Sequence, residues 1–160
     1  MNWLPIALVG FVLAIILVII ASSRLLKGRR YSISELSIAI DALLKRGFNG
    51  GFLVIKRWSN PEFLQLRKYI KDPSDYGIEL CFPRANWSVA YFDSVSRYCD
   101  SNNFEYRSEI WNDQDGMEFL VVDFGQDVRG ASGFVVEIFR EVFSVDEQES
   151  FRIRLGNSSI

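Results

Sequence analysis

The residues best suited to chemistry in this chain are carboxylates, because it contains no histidine at all. That absence removes every His-based catalytic triad, every His metal site and any imidazole switch near neutral pH. Asp123 and Asp127 lie four residues apart, just before a predicted helix. Two nearby carboxylates in unlike environments divide acid and base roles in many enzymes. A strand end followed by a helix cap places acids at the same positions for structural reasons.

Asp113, Asp115 and Gly116 form an Asp-x-Asp-Gly segment that faintly resembles a calcium loop. If Gly116 took the sixth place of such a loop, Trp111 and Val122 would fill the first and twelfth, and neither supplies a carboxylate. An Asp-Gly pair in a hairpin turn accounts for these residues better. Gly47, Gly50 and Gly51 are followed by no Gly-Lys-Ser/Thr, and Gly125, Gly130 and Gly133 also fit no phosphate loop. No serine stands in a Gly-x-Ser-x-Gly elbow, and no Cys-x-x-Cys pair exists. Cys81 and Cys99 are too few for a disulfide framework and read as reduced packing residues. The expectation is no catalytic residue, no metal site and no cofactor.

Charge narrows the partners. Of 18 basic residues, Arg24, Lys27, Arg29 and Arg30 lie beside an N-terminal apolar run, while all 20 acids come after residue 31. The remaining domain is therefore acidic, which argues against nucleic-acid binding. The four tryptophans are scattered, so no base-stacking platform is indicated.

Trp3 to Ala21 contains no charged residue and is long enough to cross a bilayer as a helix. A cleaved signal peptide carries its cations ahead of the apolar run, whereas here all four follow it. The prediction is an uncleaved single-pass anchor with the N-terminus outside. The domain then lies on the cytoplasmic side, because basic flanks stay there. The same cluster of Arg24, Lys27, Arg29 and Arg30 can touch anionic headgroups. The sequons at Asn86 and Asn157 are read as chance, since a cytoplasmic domain never meets the glycosylation machinery.

The resulting division is an anchor over 1–22, a basic juxtamembrane linker over 23–31, an α+β domain over 32–156 and a tail over 157–160. Ser32 and Glu35 form a capping box ahead of a helix whose face is Ile33, Leu36, Ile40, Leu43 and Leu44, ended by Gly47. Strands are expected at 52–55, 63–70 and 78–83. Asn86 is expected to cap a second helix reaching about Asp100. A hairpin follows over 104–111 and 117–124. A third helix capped by Asp127 runs over 128–143, and a last strand over 151–155. The order is α-βββ-α-ββ-α-β, with a mainly antiparallel sheet covered by helices. If 63–70 were helical instead, the chain from residue 77 would read as the ferredoxin-like β-α-β-β-α-β.

The segments Phe63-Leu64-Gln65-Leu66, Ile78-Glu79-Leu80-Cys81-Phe82-Pro83, Phe119 to Asp127 and Glu141-Val142-Phe143-Ser144-Val145 carry a resemblance. In this order of elements, residues 32–155 resemble the type III secretion chaperones and the chaperone-like domains related to them. The resemblance implies a non-enzymatic domain that binds polypeptide segments. No site residue transfers with it, and an anchor and an extra strand depart from that family's soluble dimers.

The sequence thus predicts a membrane-anchored protein-interaction or chaperone-like module. Its expected partners are the lipid bilayer and a protein partner or a second copy, with no nucleic acid. Phe134, Phe139 and Phe143, on a helix apolar around more than one face, form the candidate partner surface, with burial of all of them in the core as the stronger alternative. The alternatives are a carboxylate-dependent enzyme near the membrane, built on Asp123 and Asp127, and a structural subunit of a membrane complex.

Overall fold

The computed structural model describes residues 30–111 and 116–158. The apolar run, the predicted anchor, and Arg24, Lys27 and Arg29 lie outside them. Among the described residues, no helix is long and apolar enough to cross a membrane.

Among the described residues, seven antiparallel strands form one sheet: β1 (Arg30–Tyr31), β2 (Gly47–Arg57), β3 (Phe63–Ile70), β4 (Tyr76–Pro83), β5 (Arg107–Trp111), β6 (Met117–Gly125) and β7 (Phe151–Ser158). Their spatial order is β1-β7-β2-β3-β4-β6-β5. Three helices, α1 (Leu36–Arg46), α2 (Val89–Ser101) and α3 (Val128–Glu137), accompany the sheet. The α+β class and the order of the predicted elements hold. Arg30 and Tyr31, assigned to the linker, add a short strand against β7. Strand β7 runs on to Ser158, into the segment read as tail.

Alternation assigns the two faces. Leu53, Ile55, Leu64, Leu66, Leu80, Phe82, Leu120 and Val122 join the buried residues of all three helices in one core. The opposite parity gives a separate small cluster of Cys81, Phe119 and Val121, with Trp111 and Met117 against it and no helix residue in it. Among the described residues the helices therefore cover one face and leave the other open.

Residues 63–70 are strand throughout, paired with both β2 and β4. This replaces the ferredoxin-like alternative: Leu64 and Leu66 meet the helices, and period two satisfies that burial where period 3.6 would not. Lys68 continues the same parity, and its Nζ donates to the Leu44 carbonyl at 2.5 Å. It thereby satisfies a carbonyl in the last turn of α1, at the negative end of that helix. Gly47 ends α1 in an extended conformation, and a Cβ there would stand 2.6 Å from the Leu43 carbonyl oxygen. Gly77 lets β4 approach the backbone of Gly125, where the β4–β6 register shifts.

Other boundaries differ from expectation, among them β2, which starts at Gly47 and runs to Arg57 where 52–55 was expected. Helix α2 starts at Val89, and Ser88 rather than Asn86 organises its entry. The Ser88 hydroxyl accepts from the Ala85 N–H at 2.9 Å and donates to the Pro83 carbonyl at 2.5 Å. Strand β5 begins at Arg107, because Phe104 turns into the core, its ring 4.8 Å from that of Phe134. At α3 the cap is as expected, with the Asp127 carboxylate accepting from the Gly130 N–H at 2.8 Å. The helix continues into a wider π turn over Ile138–Val142.

Candidate functional site

Register places the open face in rows across the sheet. One row is Gly156, Phe52, Arg67, Glu79 and Asp123; the next is Arg154, Val54 and Gln65, then Cys81, Val121 and Arg107. A third begins Arg30, Arg152, Lys56 and Phe63. The face falls into two halves of unlike chemistry.

The half over β3, β4, β6 and β5 is a closed network. Glu79 sits in the middle of an otherwise apolar strand and is only 2% exposed. Its Oε1 accepts from the Arg67 guanidinium, with Nε at 2.7 Å, and its Oε2 accepts from Arg107 at 2.7 Å. Arg107 also donates to Glu109 at 2.6 Å, and Glu109 accepts from the Trp111 indole N–H at 2.8 Å. The indole bond, followed by Arg107, holds the Glu109 carboxyl below its ordinary range. Arg67 lies over the Trp111 ring at 4.4 Å, and that ring stacks on Phe119 at 4.1 Å. The Tyr69 hydroxyl donates to Asp123 at 3.0 Å. Burial, then that bond, pushes the Tyr69 phenol up to about 12. Beneath the network, burial and then the charge of Glu79 push the Cys81 thiol up to about 12.

A carboxylate held between two guanidiniums is already neutralised. It offers a rigid polar surface rather than a free base or nucleophile. A shallow hollow of about 280 Å³ opens beside it, lined by Glu105, Tyr106, Arg107, Val121 and Asp123.

The half over β1, β7 and β2 is an open strip of cations. Arg30, Lys56, Arg152 and Arg154 are all exposed. Arg30 and Arg152 lie over the Trp58 ring at 4.3 and 4.1 Å, and Arg154 lies near the Phe52 ring at 5.7 Å. Phe52 in turn lies across Gly156, filling the space a side chain there would occupy. Among the described residues, none of these four cations forms an ion pair.

A second polar cluster is structural. Arg57 donates to the Phe143 carbonyl at 3.2 Å and to Glu149 at 3.1 Å, with Glu62 3.7 Å away. The Tyr91 hydroxyl donates to Glu62 at 3.2 Å. The cluster ties the end of β2 to α2, the π turn and the approach to β7.

The sequence-predicted residues divide accordingly. Arg30 stands on the open face as an exposed cation. Phe134, Phe139 and Phe143, the predicted partner surface, are 1%, 0% and 4% exposed and belong to the core. The reason is that α3, which carries Phe134, packs against α1 as well as against β4 and β6, while the π turn packs against α2, with the Phe139 ring 4.7 Å from Phe151 and the Phe143 ring 4.9 Å from Tyr91. Asp127 is spent on its cap. Asp123, on the open face, accepts from Tyr69 and from the Gly125 N–H at 2.8 Å. Both cysteines are free and buried, and burial likewise pushes the Cys99 thiol up to about 12. Among the described residues no group of His, Cys, Asp or Glu is arranged to hold a metal.

Sequence reasoning missed the Arg67–Glu79–Arg107 network. Its one signal was a lone glutamate inside the apolar strand Tyr76–Pro83. Compared with protein-family models, with curated proteins and with solved structures, the chain matches none.

Proposed function

We propose that this chain is a single-pass membrane-anchored, non-enzymatic protein-interaction or chaperone-like module, with its α+β domain on the cytoplasmic side. The anchor rests on the uncharged run Trp3–Ala21 and the four cations that follow it. The interaction reading is carried by one observation: among the described residues, the sheet has helices on one face only, and its other face presents half-buried aromatics, Phe52, Tyr69 and Trp111. Such a face suits a polypeptide partner. Strand β5 is the last of the described strands on its side of the sheet, and Ile110 on it is 67% exposed. The resemblance to secretion chaperones points the same way, since its order of helix, three strands, helix, two strands and helix runs through α1 to α3.

The test is photo-crosslinking in native membranes, with a crosslinking residue at Ile110 or Met117 and a control at Ile38 on α1, which is 69% exposed. The proposal expects a discrete protein adduct from the first two positions and none from Ile38. Adducts to lipid alone, with function surviving only behind the native anchor, would instead favour a structural subunit held through its helix.

A further inference from the structure

The cation strip joins two features of the chain. Arg30, Lys56, Arg152 and Arg154 lie on the open face of the three strands at one edge of the sheet, and among the described residues none of them forms an ion pair. Asp146 and Glu149 line the same hollow as Arg30 and Trp58; Glu149 pairs with Arg57, and Asp146 accepts from the Gln148 N–H at 2.7 Å. Strand β1 of that same edge is also where the chain arrives from the apolar run. Only residues 22–29 separate Ala21 from Arg30, and they include Arg24, Lys27 and Arg29. Eight residues span at most roughly 27 Å when fully extended. If Ala21 ends a membrane span, this edge cannot leave the neighbourhood of the headgroups.

Resting on the anchor reading, we propose that the open face of β1, β7 and β2 docks on the membrane surface. In this pose Arg30, Lys56, Arg152 and Arg154 contact the phosphates of anionic lipids, with Trp58 at the headgroup level. Charge fixes the occupant: unpaired guanidiniums bind phosphate oxygens in bidentate fashion, and a tryptophan with a polar edge favours the interfacial layer. Tethering supplies the rest, because an anchored domain meets the bilayer at high effective concentration and weak contacts suffice. The docked pose turns the Glu79 half and the β5 edge away from the tether, where a protein partner has access.

The experiment uses the full chain in nanodiscs of zwitterionic lipid alone, or of zwitterionic lipid with anionic phosphatidylglycerol. Hydrogen exchange is read on peptides covering 30–31, 52–58 and 151–158. The expected result is slower exchange in the anionic discs, confined to those peptides, and loss of the difference in Lys56→Gln/Arg152→Gln/Arg154→Gln. Each charge removed should weaken contact about fivefold. Circular dichroism checks that the variant folds, and Lys substitutions at Arg152 and Arg154 should retain much of the protection.

Equal exchange in the two discs, or protection unchanged in the triple Gln variant, overturns docking. Protection appearing in zwitterionic discs only when an acidic peptide or RNA is added also overturns it and assigns the strip to that partner. Alkaline carbonate extraction keeps the readings apart. A chain that resists extraction yet shows no lipid dependence retains its anchor and loses the docking surface. A chain that extracts yet is protected by anionic lipid loses the anchor and keeps the surface.

Discussion

On one half of the open face, Glu79 and Glu109 each have a guanidinium against them and Asp123 has a phenol. On the other half, four cations lie on aromatic rings or point to solvent, and among the described residues none forms an ion pair. One face of one sheet thus carries a self-satisfied, partly buried surface beside an exposed, unsatisfied one. A closed network rigidifies strands and asks nothing of the outside. Unpaired charge on an ordered surface costs little in water and gains when an anion arrives. The difference assigns stability to the charged network of the β3–β4–β6–β5 half and anion binding to the β1–β7–β2 half.

The strongest way to break this contrast is Glu79→Gln. It leaves Arg67 and Arg107 facing an uncharged amide at a buried position. Removing one partner of a buried ion pair is strongly destabilising, but both arginines keep contact with water, so about 2–3 kcal/mol is expected. Urea denaturation of the full chain in detergent reads this as a lower midpoint. A change under about 0.5 kcal/mol would mean the network is ornamental. Trp111→Ala should cost less, about 1–2 kcal/mol, through lost stacking on Phe119 and on the Arg67 guanidinium.

Acid should act on the same half. The Glu109 carboxyl lies below its ordinary range, so it contributes stability that is present above that range and lost as pH falls through its folded value. Stability should therefore decline more steeply on acidification in the parent than in Glu109→Gln, by denaturation at stepped pH. The smallest effect belongs to the other half. Arg152→Gln and Arg154→Gln should each shift stability by less than about 0.5 kcal/mol, because neither cation has a carboxylate to lose. A larger loss would show that the strip is structural.

How much of this was legible in the sequence follows from which forces are local. The strand at 63–70 was legible because Leu64 and Leu66 alternate with Gln65 and Arg67, and alternation is a property of neighbours. The Asp127 cap was legible because its bond partner, Gly130, lies three residues away. The network around Glu79 was not, because Arg67 and Arg107 come from strands 12 and 28 residues distant and only register brings them together. The three phenylalanines were left between a partner surface and the core for a related reason. A helix apolar on several faces reads either as a sticky surface or as an interior element, and only the neighbouring helix decides. The cations of β7 and β2 were visible as alternating charges, yet their convergence beside Arg30 depends on a two-residue strand no pattern announces.

The central claim, that the two halves face different surroundings, is tested most directly by spin labels at Ser59→Cys, beside Trp58, and Met117→Cys, on the open face of β6. The buried thiols of Cys81 and Cys99, both pushed up to about 12, leave the introduced cysteines as the reactive sites near neutral pH. In anionic nanodiscs bearing a nickel-chelating headgroup, the account predicts strong relaxation at position 59 and little at 117. Equal relaxation at both, or stronger relaxation at 117, would contradict it.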